Sequence, residues 1–271
     1  MTDLRLEALA HVYPSGVRAL DGADLAVTPG ERVALVGQNG SGKTTLARHL
    51  NGLLRPTAGR VLVGGVDAAS LRVGQLSRIV GLAFQNPDDQ IFARTVAGEV
   101  EFGARNARAR GDAGTAARRA LEAVGLQDAG DLNPYDLGYS KRKLLTIASV
   151  LAMETPVLVL DEPTTGQDAR GFRRVAEIVR MVSDAGRTVI VISHDMRFVA
   201  EHFERVVVMR AGRVILDGPP ADVFAERNWE FLRSTYLEPT LSARVGAALG
   251  LGSTPTDSSL VQALSQAEVV G

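Results

Sequence analysis

The 271-residue sequence contains no cysteine, which excludes disulfide frameworks, cysteine nucleophiles and zinc–thiolate sites. It also lacks a basic excess, because 30 Lys and Arg face 31 Asp and Glu, and the net charge of −1 gives no sign of a nucleic-acid partner. Long apolar runs are missing too: the charge-free run Leu144–Met153 is far too short to cross a bilayer. The first ten residues, MTDLRLEALA, carry acids and no apolar core, so they do not predict a signal peptide. Any membrane role is therefore expected to come through a partner.

Composition and hydrophobic patterning predict a folded α/β protein. Hydrophobic residues make up 45% of the chain and charged residues 23%, as in ordinary globular proteins. Short apolar runs bounded by turns predict strands at Leu4–Leu9, Leu25–Val27, Arg32–Val36, Gly59–Gly65, Val157–Leu160, Thr188–Ile192, Val206–Met209 and Val214–Leu216. Helical spacing predicts helices that include Ser41–Leu50 and Ala116–Val124.

The order of these elements predicts a largely parallel, buried sheet, since short apolar strands alternate with helical stretches. A β-rich part comes first, and a helical insertion covers about residues 86–153. A helical tail follows Pro219-Pro220 and is expected to end in the polar stretch Gly252–Ser259. We therefore expect one domain over residues 1–219 and a C-terminal extension over residues 220–271.

Residues 37–45, GQNGSGKTT, satisfy the phosphate-loop pattern G-x-x-x-x-G-K-[ST] between a predicted strand and a predicted helix. Glycines let successive backbone N–H groups converge on phosphate oxygens, and the helix N-terminus adds a favourable dipole. Lys43 is expected to bridge the β- and γ-phosphates, and Thr44 to ligate Mg²⁺ through its hydroxyl. The predicted nucleotide-binding residues of the loop are Gly37, Gln38, Asn39, Gly40, Ser41, Gly42, Lys43, Thr44 and Thr45.

A second acidic motif is VLVLDE, residues 157–162. A buried apolar strand that ends in an acid places a carboxylate at the carboxyl edge of the sheet, where ligands of α/β folds bind. Asp161 is expected to belong to the Mg²⁺ shell, and Glu162 to polarise the attacking water. The strand alone is weak evidence of a site, but its pairing with a phosphate loop predicts an ATP-hydrolysing centre.

The order and spacing of the motifs resemble the ATP-binding subunits of ABC transporters, which implies a P-loop NTPase (RecA-like) core. Tyr13 lies 24 residues before Gly37, where this family has an aromatic ring that stacks on adenine. The resemblance makes Gln85 the Q-loop glutamine, which touches Mg²⁺ and the water, and His194 the switch histidine of the γ-phosphate. It also makes Thr164–Asp168 the D-loop, with Asp168 at a dimer interface. Lys43, Gln85, Glu162 and His194 are thus the expected catalytic residues.

The stretch QNPDDQIFARTVAGEVEFG, residues 85–103, is similar to one branch of that family, the ATPases of energy-coupling factor importers. These import vitamins or transition-metal ions in prokaryotes, and the resemblance covers roughly residues 1–220. It implies a transmembrane coupling subunit, a separate membrane subunit that binds the substrate, and a second ATPase subunit. It also implies a peripheral position at the cytoplasmic face of the cell membrane. The transported substrate is not readable from this chain.

The family's signature, usually L-S-G-G-Q, aligns with LGYSK, which is Leu137, Gly138, Tyr139, Ser140 and Lys141. In the family this segment completes the ATP site of the other subunit at a helix N-terminus. Gly138 offers no hydroxyl, so a hydrogen bond to a charged group worth roughly 1.5–3 kcal/mol is lost. Ser140 offers a hydroxyl and Lys141 a positive charge in its place. Two interpretations stay open: a tolerated variant, or a chain specialised for a heterodimer.

Four acids flank the glutamine loop, on the surface where this family docks basic coupling helices of its membrane subunit. We expect Asp88, Asp89, Glu99 and Glu101 to present their charges to such a partner.

The sequence therefore predicts an ATPase subunit that works as a dimer and drives a membrane importer. A P-loop kinase explains residues 37–45 but not Gln85, His194 or the 85–103 stretch. A non-transport ABC ATPase that acts on nucleic acid usually has two cassettes or a long coiled-coil insert, and neither is visible. An ATP-binding regulatory cassette with weak hydrolysis stays open because of LGYSK.

Overall fold

The computed structural model describes residues 2–107 and 112–270. The strands are β1 (Leu4–Val12), β2 (Arg18–Val27), β3 (Arg32–Val36), β4 (Ala58–Val63), β5 (Val66–Asp67), β6 (Val80–Ala83), β7 (Val157–Asp161), β8 (Thr188–Ile192), β9 (Arg205–Arg210) and β10 (Arg213–Gly218). The helices are α1 (Lys43–Leu50), α2 (Val73–Leu76), α3 (Val96–Ala107), α4 (Ala113–Val124), α5 (Tyr139–Leu151), α6 (Ala169–Asp184), α7 (Met196–His202), α8 (Pro220–Val223), α9 (Trp229–Arg233), α10 (Leu241–Ala248) and α11 (Asp257–Val270). The rest of the described chain forms turns, short 3₁₀ segments and loops.

A six-stranded sheet in the order β10-β9-β3-β8-β7-β6 forms the centre of the molecule. Its strands pair in parallel except at the β9–β10 edge, which is antiparallel. The prediction of a largely parallel, buried sheet is confirmed. Strand β6 was not predicted; its four residues, VGLA, include a glycine, which is depleted in strands.

Successive residues of the central strands belong to two different apolar cores, because side chains alternate across a sheet. On one face, Val33 and Leu35 pack with α1 and with a second, antiparallel sheet in the order β2-β1-β4-β5. On the other face, Ala34 and Val36 pack with the core that includes α3, α4, α5, α6 and α7. Helices or a second sheet thus cover both faces, as a parallel sheet requires.

The helical insertion enters the chain after β6 and returns to the sheet at β7. It contains α3, α4 and α5, whose small and branched residues pack against one another, among them Val100, Ala104, Ala117 and Leu145. Residues 108–111 of the predicted insertion lie outside the described residues. The insertion therefore fixes where α5 begins relative to the end of β7.

The C-terminal segment is helical from Pro220, which occupies the first turn of α8 as proline can without losing a hydrogen bond. Val223, Phe224 and Leu232 join the same core as the helical face of the central sheet. The expectation that the tail ends in the polar stretch 252–259 is wrong, because α11 begins at Asp257 and continues to Val270.

Among the described residues, no helix is both long enough and apolar enough to span a bilayer.

Candidate functional site

The predicted phosphate loop connects β3 to α1, at the carboxyl end of the central sheet. Gly37 has φ +147° and Gly42 has φ +103°, values that side chains rarely permit. A Cβ at Gly37 would collide with the carbonyl oxygen of Met209, and one at Gly42 would lie 2.5 Å from the carbonyl oxygen of Ala19. The loop can therefore lie against β9 and β2 only with glycine at these two positions.

No side chain caps the first turn of α1, so its N-terminal N–H groups are available to an anion. Lys43, the first residue of the helix, folds back over the loop and is 7% exposed. Its Nζ donates to the carbonyl oxygens of Gly37 at 2.7 Å and Gln38 at 2.8 Å. Burial lowers the pKa of Lys43, although Glu162 and Asp161 oppose that shift by attraction. The loop therefore combines free N–H donors with one ammonium group, as a polyphosphate site requires.

Thr44 and Asp161 meet at the base of the same loop. The Thr44 hydroxyl donates to Asp161 Oδ2 at 2.8 Å, and Asp161 is 4% exposed. The second carboxylate oxygen, Oδ1, is buried and has no hydrogen-bond partner in the described structure. Burial raises the pKa of Asp161, and a cation beside the carboxylate would favour its charged form. A hydroxyl next to an unpartnered carboxylate oxygen fits Mg²⁺, which takes oxygen ligands.

Glu162 follows Asp161 at the end of β7, in the left-handed region with φ +51°. Its backbone N–H donates to the carbonyl oxygen of Ile192 at 2.9 Å, which ties this turn to the end of β8. Glu162 Oε2 lies 2.7 Å from His194 Nδ1 and accepts a hydrogen bond from the Thr165 hydroxyl at 3.2 Å. One carboxylate is thus held by two side chains at the edge of the sheet.

Residues of the phosphate loop, Asp161 and Glu162 surround one pocket of about 420 Å³. The lining residues are Tyr13, Val17, Arg18, Ala19, Asn39, Gly40, Gly42, Lys43, Thr44, Thr45, Gln85, Asp161, Glu162 and Ile192. The strand order explains the convergence, because β3, β8, β7 and β6 lie side by side and their carboxyl ends meet at one edge. Seven of the ten predicted nucleotide-binding residues line this pocket, and Gln85, Asp161 and Glu162 join them from distant parts of the sequence. Gly37, Gln38, Ser41 and the predicted switch histidine His194 are not among the lining residues.

The residues at the rim of this pocket are Tyr13 and Gln85. The Tyr13 hydroxyl lies 3.1 Å from Thr45 Oγ1, and the Tyr13 ring makes an edge contact with the His11 ring at 4.6 Å. Gln85 is exposed and lies two residues beyond the end of β6. The unpredicted strand β6 is therefore the element that positions Gln85.

The signature segment does not line this pocket. Gly138 precedes the first turn of α5 and has no side-chain cap, while Leu137 is buried. The Ser140 hydroxyl donates to Gln167 Oε1 at 2.6 Å, and Lys141 is exposed. Ser140 and Lys141 line a separate cavity of about 220 Å³ together with Asp168.

Asp168 itself caps α6, because its carboxylate accepts a hydrogen bond from the N–H of Gly171 at 2.7 Å. It is exposed beside the signature segment, away from the nucleotide pocket. The predicted signature and interface residues thus form a second, outward-facing group in this chain.

One of the four predicted docking acids is not on the surface. Glu99 is 3% exposed, and its Oε2 accepts hydrogen bonds from the N–H groups of Phe92 at 3.0 Å and Ala93 at 2.8 Å. The expectation that Glu99 presents its charge to a partner is wrong, because this carboxylate holds the loop before α3. Asp88 and Asp89 are exposed, and Asp88 lies 3.4 Å from Arg142 Nε.

The remaining acid, Glu101, forms an ion pair with Arg105 one turn further along α3. Its side chain is 31% exposed, so part of its charge is already matched within the helix.

The structure shows two connecting residues that the sequence motifs missed. The Gln90 side chain accepts from the N–H of Phe84 at 3.0 Å and donates to the carbonyl oxygen of Thr146 at 3.1 Å, so it joins the glutamine loop to α5. Lys143 is buried on α5 and donates to the carbonyl oxygen of Glu162. The composition alone could have drawn attention to Lys143, because lysine occurs only at positions 43, 141 and 143 of this arginine-rich chain.

Comparison with known proteins agrees with this geometry. A family model described as ABC transporter matches residues 20–165, which is more than half of the chain. An energy-coupling factor transporter ATP-binding protein of Symbiobacterium thermophilum is 43% identical over 231 residues, covering 82% of this chain and 80% of that protein. The solved structure of cbiO1 from Clostridium perfringens, part of the ABC transporter complex cbiONQ, matches at 34% identity with a TM-score of 0.73, covering 91% of this chain and 98% of that one.

The fold and site therefore define a P-loop NTPase of the ATP-binding cassette type. The chain belongs to the ABC transporter family, and this domain is the ATP-binding, ATPase component in that family. The resemblance to ATPases of energy-coupling factor transporters is confirmed by the Symbiobacterium thermophilum relative, which is named as one.

Some relatives are much longer than this chain. One from Caldanaerobacter subterraneus is 41% identical over 248 residues, which are 90% of this chain but only 43% of that protein. The chain spans a similar share, 38% to 42%, of three Methanosarcina relatives.

Proposed function

We propose that this chain binds and hydrolyses ATP to energise the import of a small solute, a vitamin or a metal ion, through a membrane transporter. The observation that carries the proposal is the single pocket in which Lys43, Thr44, Asp161 and Glu162 meet, with His194 against the Glu162 carboxylate. This pocket combines a phosphate cradle, a set of hard oxygen donors and a candidate base.

In this proposal the phosphates lie along the N-terminus of α1, where the free N–H groups and Lys43 bind their oxygens. The ring of Tyr13 covers the adenine at the rim of the pocket. Thr44 and Asp161, with Gln85, hold Mg²⁺, which would neutralise charge on the phosphates.

Glu162 acts as the general base that accepts a proton from the attacking water, which needs a carboxylate within hydrogen-bond reach of that water. The short contact with His194 orients this carboxylate. In this proposal the histidine also contacts the γ-phosphate. Catalysis of the hydrolysis then depends mainly on positioning and charge stabilisation, as is typical of phosphoryl transfer.

A second ATPase subunit completes each site in the proposed assembly. Within one chain the signature segment lies outside the nucleotide pocket and faces outward, which supports a role toward a neighbouring subunit. The energy-coupling factor relative and the cbiONQ component support this arrangement by family likeness.

A groove of about 440 Å³ between the helical insertion and the central sheet is the proposed docking surface for the transmembrane coupling subunit. Phe92 and Phe102 are exposed there, at 61% and 50%, and their rings make an edge contact at 4.7 Å. Gln90 lines the same groove and joins the glutamine loop to α5. A partner in this groove would therefore contact the segment that carries Gln85.

Through these contacts the chain would sit at the cytoplasmic face of the cell membrane. The solute would bind to a separate membrane subunit, and no nucleic-acid partner is proposed.

A second candidate function rests on the signature segment. Ser140 is hydrogen-bonded to Gln167, and Gly138 has no side chain, so neither offers a free hydroxyl to a neighbouring γ-phosphate. The chain would then be the partner with weak hydrolysis in a heterodimer whose other ATPase carries L-S-G-G-Q.

The experiment is steady-state ATP hydrolysis by the purified full chain with Mg²⁺, alone and with the transporter subunits that copurify with it. Hydrolysis that the membrane subunits stimulate, with solute import into proteoliposomes, supports the importer. Hydrolysis that appears only with a second, different ATPase supports the heterodimer. Absence of hydrolysis in the intact complex contradicts both.

A further inference from the structure

Lys143 is a buried cation that the proposed chemistry does not use. It lies on α5, the helix that begins in the signature segment, and is 2% exposed. Its ammonium group donates to the carbonyl oxygen of Glu162 and, at 3.2 Å, to the carbonyl oxygen of Thr165. One side chain thus connects the signature helix to two carbonyl oxygens of the turn Glu162–Gln167, which begins at the candidate base.

An ammonium group is costly to bury, and burial lowers the pKa of Lys143 to about 8. Its acceptors are backbone carbonyls, and Glu162 and Asp161 are the nearby charges that oppose the shift. An apolar residue of the same length would fill this position without that cost. The buried charge of Lys143 therefore lies where its hydrogen bonds fix the path of the backbone.

The backbone that Lys143 holds is in an uncommon conformation. Glu162 has φ +51°, a value that a non-glycine residue keeps only when its surroundings impose it. Its side chain must nevertheless point toward His194. The hydrogen bond from Lys143 to the carbonyl oxygen of Glu162 restrains the peptide group that determines the direction of the Glu162 side chain.

Two more contacts join the first turn of α5 to the turn Glu162–Gln167. Ser140 and Gln167 exchange two hydrogen bonds, from Ser140 Oγ to Gln167 Oε1 at 2.6 Å and from Gln167 Nε2 to the carbonyl oxygen of Ser140 at 3.1 Å. The Tyr139 ring packs over Gly166, where a Cβ would lie 2.8 Å from Tyr139 Cε1. The side chains that distinguish LGYSK from a double-glycine signature are thus engaged within the chain.

We propose that Lys143 is a positioning residue that fastens the Glu162–Gln167 turn to the signature helix, so that the two move together. This inference rests on the proposed ATPase function. The signature helix serves the nucleotide of a neighbouring subunit, whereas Glu162 serves the nucleotide of its own chain. Because Lys143 joins the two segments, closure of the neighbouring subunit's site on the signature helix also positions Glu162 in this chain's own site.

The test replaces Lys143 by Met, which keeps most of the length and removes the charge, and by Arg, which keeps a cationic donor. In the full chain we expect Lys143→Met to lower kcat by about 10- to 100-fold, because a small misplacement of a catalytic group has effects of that order. The KM for ATP and the Kd of a fluorescent ATP analogue should change less than about twofold, since the phosphate loop is untouched. Lys143→Arg should restore part of the kcat.

A matched control is Arg187→Met, which removes another partly buried cation whose Nε donates to a carbonyl oxygen, that of Thr155, at 2.6 Å. This pair lies at the opposite edge of the sheet, where β7 and β8 begin. Both substitutions should lower the Tm, but only the change at Lys143 should lower kcat. If Lys143→Met does not fold, Lys143→Gln, which retains a shorter donor, takes its place.

A readout independent of hydrolysis separates this inference from the proposed function. Amide hydrogen exchange in residues 162–168 should be faster in Lys143→Met than in wild type or Arg187→Met. Equal exchange in all three proteins, or a kcat for Lys143→Met equal to that of Arg187→Met, would overturn the positioning role. Absence of hydrolysis in the wild-type complex would instead overturn the proposed function, and the exchange result would still decide the role of Lys143.

Discussion

Glu162 Oε2 and His194 Nδ1 lie 2.7 Å apart at the carboxyl ends of two neighbouring parallel strands, β7 and β8. The Glu162 side chain is 9% exposed and that of His194 is 63% exposed, so a buried carboxylate is directed by a histidine at the surface. The register pairs Asp161 with Ile192, which brings the two following segments side by side. This relationship connects residues 32 positions apart in sequence and supports Glu162 as the base.

Lys43 should determine nucleotide affinity more than turnover. Lys43→Ala removes the ammonium group that lines the pocket, and a hydrogen bond to a charged group is worth about 1.5–3 kcal/mol. We expect the Kd for ATP, measured by titration calorimetry on the full chain, to rise at least about tenfold. Arg60→Ala, which removes an exposed cation paired with Glu7, should leave the Kd unchanged. An unchanged affinity in Lys43→Ala would refute the phosphate cradle.

The exposed acids beside the glutamine loop should govern contact with a basic membrane partner. We expect charge reversal by Asp88→Lys and Asp89→Lys together to reduce recovery of the coupling subunit in a pull-down, without changing ATP affinity. Glu122→Lys and Asp184→Lys, two exposed acids that are distant in sequence from the glutamine loop, serve as controls. Equal recovery with the double variant and the controls would contradict the docking proposal.

Glu99 should behave as a structural residue and not as a docking charge. Glu99→Gln removes a buried negative charge that accepts two backbone hydrogen bonds, at a cost of about 1–3 kcal/mol. For a chain of this size, that cost lowers the Tm by several degrees. Thermal unfolding measures the shift, and a Tm equal to wild type would show that the carboxylate does not hold the loop.

Gly138→Ser should increase hydrolysis by the chain alone. A Cβ at this position would meet no atom within 4 Å, and the backbone, at φ −63° and ψ 158°, suits a serine that caps α5. Because the Ser140 hydroxyl is already bonded to Gln167, the new hydroxyl would supply the missing donor and raise kcat at least about tenfold. Gly138→Ala, which adds a methyl group alone, should not raise it. Unchanged activity in Gly138→Ser would favour a tolerated signature variant.

Linear motifs allowed prediction of the residues that surround the pocket. Lys43, Thr44 and Asp161 follow from local patterns, because a strand, a loop and a helix fix them over a few positions. The direction of Glu99 could not be predicted in this way, since a carboxylate in the first turn of a helix can face outward or turn back to backbone N–H groups. Strand β6 was not predicted, because a glycine interrupts its short apolar run, VGLA, and glycine is depleted in strands.

Side-chain contacts between distant segments could not be predicted from the sequence for a different reason. Gln90 meets the carbonyl oxygen of Thr146 across 56 positions, and Lys143 meets the carbonyl oxygen of Glu162 across 19. Such pairs depend on how the insertion packs against β6 and β7, which no local pattern encodes. The rarity of lysine was a compositional signal for Lys143, but it did not name the carbonyl groups that the ammonium contacts.

The measurement that tests the central claim most directly compares Glu162→Gln with wild type in the assembled transporter, with ATP binding and steady-state hydrolysis measured on the same preparation. The substitution removes the base and keeps the size of the side chain. Among the described residues, the hydrogen bonds of the Glu162 carboxylate go to Thr165 and His194 and not to the phosphate loop. We predict that turnover falls at least about 100-fold, within the range of general-base effects, while the Kd for ATP stays within about twofold of wild type. Hydrolysis at the wild-type rate with intact ATP binding would contradict the assignment of Glu162 as the base and the account built on it.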